Sequence, residues 1–257
     1  MKQLSRFSAF IFFLLMFFTA AAMLWPQTSE PSLEEARTKL VDLRLKQAGI
    51  KNLLVLDAIR NIPRHEFVPD YLKRLAYEDI PLPMGSGQYS PAPSTVARMA
   101  EALQPDGTQS VLVVGLNTGY LAAVFSRISF EVAVADVSQS RIYATQKILD
   151  GIGFTNIQMR LTDGTRIWEI PRLFDCIVIN GAVDTVPQEL VSLLRFGGKM
   201  VIPLGKSSSI QTLVLVTKTV DGLTIESIDD VVFPPLEGFS FSNKTKSALD
   251  HGWSYRS

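Results

Sequence analysis

Between Ser110 and Pro203, short apolar runs alternate with helix-length segments, and this alternation constrains the chain more than any other feature. Ser110–Val114 (SVLVV), Glu131–Ala135, Ile157–Leu161, Asp175–Ile179 and Lys199–Pro203 read as strands. Runs this short and this apolar suit strands buried on both faces. Between them lie helical stretches at Tyr120–Ile128, Gln139–Gly151 and Gln188–Leu194. The pattern predicts an α/β fold with a doubly wound, mostly parallel sheet. Thr212–Val220 and Leu223–Phe233 then form two strand-like runs joined by Asp221-Gly222. Asp-Gly between strands is a hairpin signal, so the sheet is expected to end in an antiparallel hairpin. Upstream, Leu33–Gln47, Asn52–Asn61 and Thr95–Leu103 are predicted helices. Ile80–Pro93 carries four prolines and two glycines and is predicted to be an irregular loop.

The N-terminus is of a different kind. Residues 7–25 contain no charge, Lys2 and Arg6 precede them, and Ala20-Ala21-Ala22 lies near their end. This is the pattern of a signal peptide. The run is also long enough to cross a bilayer as one helix, so cleaved signal and retained anchor both stand, with possible membrane attachment through residues 7–25. Residues 26–32 read as a linker. Residues 33–257 read as one domain, with a helical and loop region at 33–105, a core at 106–238 and a polar tail at 239–257. An extracytoplasmic location follows as the expectation.

Composition narrows the chemistry. The chain has 25 basic and 25 acidic residues; without residues 1–25, which hold Lys2 and Arg6, 23 basic residues face 25 acidic ones. Nucleic-acid binding driven by bulk positive charge is therefore not expected. One cysteine, Cys176, excludes an intramolecular disulfide, and with only His65 and His251 beside it a Cys/His zinc site has too few ligands. No metal is expected. Cys176 sits in an apolar strand and reads as inert core; His65 reads as structural or surface.

The first strand of the alternating region ends in Gly115-Leu116-Asn117-Thr118-Gly119. A glycine turn there lets a ligand approach the backbone closely. Asp136 follows 21 residues after Gly115, at the end of the next strand, where a carboxylate can accept from ribose hydroxyls. Asp163-Gly164-Thr165 follows the third strand and Asn180-Gly181-Ala182 the fourth. A carboxylate at Asp163 could meet an adenine amino group. Ligands of open α/β sheets bind beyond the strand C-termini, so all four turns face one crevice. The G-x-x-x-G spacing argues against a nicotinamide-dependent oxidoreductase.

Five further segments carry a family resemblance: Ile62–Asp70 (IPRHEFVPD), Leu75–Gln88 (LAYEDIPLPMGSGQ), Val96–Met99 (VARM), Asp163–Thr165 (DGT) and Gly197–Gly205 (GGKMVIPLG). From about Ala36 to Gly238 the chain resembles the protein-L-isoaspartate (D-aspartate) O-methyltransferases, which depend on S-adenosylmethionine (AdoMet). The resemblance implies a seven-stranded sheet of the AdoMet-dependent methyltransferase type. It implies methyl transfer to the carboxylate of isoaspartyl residues in damaged proteins, by a monomeric enzyme. Gly115, Asn117, Gly119, Asp136, Asp163, Gly164 and Thr165 would hold the cofactor. Ser86, Gln88 and Ser90 would meet the substrate, with Ser90 the candidate for the catalytic position. A carboxylate is already ionised near neutral pH. It needs no general base, and positioning and water exclusion become the main levers.

The chain also departs from the family. The family's loop usually reads Gly-Gln-Thr-Ile-Ser-x-Pro; here it reads Gly87-Gln88-Tyr89-Ser90-Pro91-Ala92-Pro93. Pro91 takes the serine's place, supplying neither hydroxyl nor N–H, and Ser90 stands one residue early. Val113 replaces a usual acidic residue and Asn117 the middle glycine of the turn. These departures open a second reading, a degenerate relative that keeps the fold and binds without catalysing. AdoMet is made in the cytoplasm, so an extracytoplasmic domain would need an exported cofactor, a reversed topology or a lost activity.

Overall fold

The computed structural model describes residues 31–162 and 172–238. The charge-free leader, the tail from Phe239 and the Asp163-Gly164-Thr165 turn lie outside the described residues. Two helices, α1 (Leu33–Lys39) and α2 (Leu53–Asn61), precede a small hairpin, β1 (Leu82–Gly85) and β2 (Gln88–Ser90), and α3 (Pro93–Ala102). The core follows as β3 (Ser110–Val114), α4 (Tyr120–Ile128), β4 (Glu131–Asp136), α5 (Gln139–Gly151), β5 (Ile157–Leu161), β6 (Phe174–Ile179) and α6 (Gln188–Ser192). It ends in β7 (Leu194–Leu204), β8 (Gln211–Thr219) and β9 (Gly222–Val231).

Seven strands form one sheet in the order β5-β4-β3-β6-β7-β8-β9. The pairs β3–β4, β3–β6, β4–β5 and β6–β7 are parallel; β7–β8 and β8–β9 are antiparallel. The chain winds from β3 toward β5 on one side and from β6 toward β9 on the other. The two directions part between β3 and β6, and the crevice above that point is where an open α/β sheet takes its ligand.

Strand periodicity explains why the central runs are uniformly apolar. Val111 and Val113 of β3 join the core on one face with α2, α3 and α4, while Leu112 and Val114 join the other with Leu190, Val191 and Leu194. Successive side chains alternate sides, and since both faces are covered the middles of β3, β4 and β6 are apolar, with polar residues such as Ser110, Asp136 and Asp175 only at the ends. Val113, the position of the family's acidic residue, is fully buried in this core.

Several details differ from the sequence expectation. The helix expected over Leu33–Gln47 has those ends, but its middle, Leu40–Leu45, widens into a π-helical turn that buries Leu40, Val41 and Leu45. The loop expected over Ile80–Pro93 contains the β1–β2 hairpin, whose turn uses positive φ at Gly85, Ser86 and Gly87. The prolines permit this because a two-stranded ribbon leaves one edge of each strand unpaired. Strand β7 begins at Leu194, five residues before Lys199, because a bulge at Phe174–Cys176 and Gly197 at φ +78° keep Leu194 paired with Phe174. In the final hairpin Gly222 pairs with Thr219, so the loop residues are Val220 and Asp221.

Cys176 is 4% exposed in β6, and burial pushes its thiol up to about 12. A thiolate is the reactive form. Native protein at pH 8 is expected to gain no mass with iodoacetamide, and one adduct in denaturant. Full labelling of the native protein would show that β6 opens readily.

Candidate active site

The turn after β3 is shaped by two glycines at left-handed φ, Gly115 (+88°) and Gly119 (+87°), with Asn117 between them at +52°. A Cβ on Gly115 would meet Leu236 Cδ1 at 2.8 Å and the Asn180 carbonyl at 3.3 Å. A Cβ on Gly119 would meet Thr145 Cγ2 at 2.3 Å. Both glycines thus permit close packing of the turn against its neighbours, in addition to their backbone freedom. Gly119→Ala is expected to cost about 2–4 kcal/mol through backbone strain and overpacking. Adding Thr145→Ser removes the clashing Cγ2 and should recover about 1–2 kcal/mol of that in urea denaturation, leaving the strain. A double variant no more stable than the single one would refute the steric part.

Asp136 ends β4 and is 2% exposed. Its Oδ2 accepts from the Leu116 N–H at 2.7 Å, which pins the glycine turn to the neighbouring strand. Its Oδ1 accepts from the Ser138 N–H at 2.7 Å and from Arg141 Nε at 3.0 Å, with Arg141 Nη2 also at 3.0 Å. Ser138 caps α5 by accepting from the Arg141 N–H. Arg141 Nη1 reaches on to Glu237 Oε2 at 2.7 Å. Burial opposes the Arg141 charge, but the hydrogen bonds and charges of Glu237 and Asp136 outweigh it and hold its pKa above the ordinary value.

The segment after β9 crosses the C-terminal ends of the strands. Leu236 packs against Gly115 and Gly181, Gly238 against Val137, and the Leu236 N–H donates to the Ala182 carbonyl. Glu237 Oε1 accepts from Gln88 Nε2 at 2.7 Å. The small hairpin therefore stands beside the crevice. Its next residue, Tyr89, offers its carbonyl to Asn117 Nδ2 at 2.5 Å.

Beneath this hairpin lies a fully buried arginine. Arg64 Nη1 donates to the Ala76 carbonyl at 2.9 Å and Nη2 to the Pro91 carbonyl at 2.9 Å. Longer contacts of 3.4 Å reach the Ile80 and Ser90 carbonyls and the Ser90 hydroxyl. Desolvation draws its pKa below the ordinary arginine value, partly offset by Tyr120, Asp79 and Tyr77.

Of the residues singled out in the sequence, Gly115, Asn117, Gly119, Asp136 and Gln88 converge on the crevice. Ser86 is exposed at the hairpin tip. Ser90 is fully buried, with its hydroxyl on the Arg64 side. Asp163, Gly164 and Thr165 lie outside the described residues. Arg141, Glu237 and Arg64 were not singled out. Arg64 lies inside the quoted IPRHEFVPD segment, whereas nothing local marks Arg141 and Glu237 as a pair, because they stand 96 residues apart in the chain.

The crevice fits a nucleoside-bearing cofactor with an amino-acid end. Asn180 Nδ2 donates to the Gly115 carbonyl at 3.1 Å, while the buried Asn180 Oδ1 has no hydrogen-bond partner. A buried acceptor left unpaired is costly, and an ammonium donor would satisfy it. Asp136 Oδ2 can accept a second hydrogen bond beside that from Leu116, as a ribose hydroxyl requires.

Residues 35–240 match the family described as Protein-L-isoaspartate(D-aspartate) O-methyltransferase (PCMT). The chain belongs to this family. It is an enzyme of the AdoMet-dependent methyltransferase class. It is 42% identical over 208 residues to a protein-L-isoaspartate O-methyltransferase 2 of Shewanella sediminis, covering 81% of this chain and 85% of the relative. A protein-L-isoaspartate O-methyltransferase 1 of Rhodopseudomonas palustris is 37% identical over 223 residues, covering 86% of each. A solved protein-L-isoaspartate O-methyltransferase superposes with a TM-score of 0.68 at 28% identity, over 77% of this chain and 65% of that one. A Plasmodium falciparum protein given the same family name, solved with S-adenosyl-L-homocysteine, shares the fold at TM-score 0.66 and 21% identity, over 79% and 98% of the chains. With relatives named as enzymes, the binding-only reading gains no support.

Proposed function

We propose that the protein transfers a methyl group from AdoMet to the carboxylate of isoaspartyl or D-aspartyl residues in damaged proteins, initiating their repair. The observation that carries this is the placement of the hairpin ending in Gln88–Ser90 against the glycine turn, joined through Asn117 and Tyr89. On this reading the hairpin that would meet the peptide stands beside the turn that would hold the cofactor.

Bound AdoMet supplies an electrophilic methyl on a sulfonium. The chain's own residues do the rest. Gly115, Gly119, Asp136, Asn180 and the main chain at Asn117 would hold the cofactor, and Ser86, Gln88 and the main chain around Ser90 would meet the peptide. The ionised substrate carboxylate is the nucleophile, so the residues need only align it and keep water out. The scarcity of His and Cys fits that division of labour.

Calorimetric titration of the full chain with S-adenosyl-L-homocysteine, followed by methyl transfer to an isoaspartyl peptide and to its normal aspartyl twin, tests the reading. Transfer to the isoaspartyl peptide alone is expected. Binding without transfer would return the chain to the binding-only class. The charge-free run at residues 7–25 supports a domain outside the cytoplasm, where activity would require exported AdoMet; a reporter fused after Ser32 and active on one side of the membrane only tests that.

A further inference from the structure

Two of the chain's departures from its family touch each other. Asn117 replaces the middle glycine of the turn and adopts φ +52°, a conformation costly for a side chain that gains nothing from it. What it gains is a hydrogen bond: Nδ2 donates to the carbonyl of Tyr89, inside the altered loop. A second route joins the same two regions. Gln88 donates to Glu237, Arg141 donates to the other oxygen of Glu237 and to Asp136, and Asp136 accepts from Leu116, the neighbour of Asn117. The contacts close into a ring that passes through both the substrate hairpin and the cofactor turn. Three of its members, Asp136, Arg141 and Glu237, are charged, and Arg141 is only 27% exposed at its side chain. Charge-assisted hydrogen bonds in such partial burial are the stronger kind.

From this ring we infer that Asn117 and Arg141 are positioning residues that couple cofactor binding to the conformation of the Leu82–Ser90 hairpin. This builds on the functional reading above. A ligand that engages Asp136 and the glycine turn stiffens one side of the ring and so favours the hairpin geometry held by the other. By linkage, peptide binding tightens the cofactor to the same degree. Arg141 acts through Asp136 and Glu237, and Asn117 through the Tyr89 carbonyl.

The test uses the full chain, S-adenosyl-L-homocysteine and an isoaspartyl peptide. In the wild type, saturating S-adenosyl-L-homocysteine is expected to tighten peptide binding roughly tenfold and to slow amide exchange across Leu82–Ser90. Asn117→Gly and Arg141→Leu should each cut the tightening to less than about threefold and abolish the exchange protection. Asn117→Gly also separates positioning from folding. It relieves the left-handed strain, so the variant should melt no lower than the wild type while losing the coupling. Asn117→Asp, which cannot donate to a carbonyl, should behave like the glycine variant. Wild-type coupling in both Asn117→Gly and Arg141→Leu overturns the inference. So does a wild-type hairpin whose exchange is indifferent to S-adenosyl-L-homocysteine, whatever the peptide does. Hairpin protection in the wild type that both variants lose, without methylation of the peptide, would sink the functional reading and leave the coupling standing.

Discussion

Replacing Arg64 by methionine is expected to lower the unfolding temperature by roughly 10 °C and to raise the KM for an isoaspartyl peptide ten- to a hundredfold. The reason is the number of main-chain carbonyls that converge on one guanidinium. Ala76, Ile80, Ser90 and Pro91 belong to the segment that leads into, forms and leaves the hairpin, and Arg64 is fully buried among them. Methionine keeps much of the apolar stem and removes every donor. The Ala76 and Pro91 carbonyls, bonded at 2.9 Å, lose most. Each buried group left unpaired costs about 1–3 kcal/mol, so a total near 3–5 kcal/mol is expected. The guanidinium also stacks over the Tyr120 ring, 5.7 Å from its centroid, an interaction methionine replaces only in part. Arg64→Lys retains charge but gathers its three N–H donors on one nitrogen, which cannot span carbonyls that Arg64 reaches from two separate nitrogens, and it should recover less than half of the loss. Thermal melts followed by circular dichroism check the stability. Melting at the wild-type temperature for Arg64→Met would mean that the hairpin is held by its own strands and Pro91–Pro93.

The fold was legible because the central strands are buried on both faces, and burial on both faces writes itself as an unbroken apolar run. β3 was bounded correctly from SVLVV alone, and its neighbours β4 and β6 each to within one residue. Legibility failed where backbone geometry rather than burial decides. The Leu82–Ser90 hairpin hides among prolines and glycines that also spell irregular loop, and the early start of β7 depends on a bulge and on Gly197. In the crevice the local signals, glycines after a strand and Asp136 at the end of the next, were readable. Arg141 and Glu237 were not. An arginine in the first turn of a helix and a glutamate after the last strand are ordinary surface residues until the fold brings them within 2.7 Å. Ser90 teaches the converse. A serine one residue from the expected place looks like a substitute in sequence, yet strand alternation turns it inward toward Arg64, while Tyr89 beside it is left 46% exposed.

Asp136→Asn is expected to weaken S-adenosyl-L-homocysteine binding about a hundredfold, a loss of about 2.7 kcal/mol. The substitution keeps the shape but removes the charge and turns one acceptor into a donor. Four donor groups face the carboxylate in the wild type: the Leu116 and Ser138 N–H groups, Arg141 Nε and Arg141 Nη2. An amide NH2 on either side meets a donor head-on. If it faces Leu116, the glycine turn loses its anchor to β4; if it faces Ser138 and Arg141, the start of α5 and the arginine lose theirs. Asp136→Ala goes further, stranding a 27%-exposed arginine against Glu237 alone, and should cost about 3–5 kcal/mol in stability as well. The two variants separate the carboxylate's two roles. Were its value only structural, ligand affinity would follow stability, and the milder asparagine variant would bind nearly as well as the wild type. Were it a ligand contact as well, the asparagine variant would remain folded at room temperature and still lose the hundredfold, because a ribose hydroxyl needs the acceptor capacity that Oδ2 keeps beside Leu116. Calorimetry on both variants, set against their urea midpoints, decides between these, and the second outcome is the one expected.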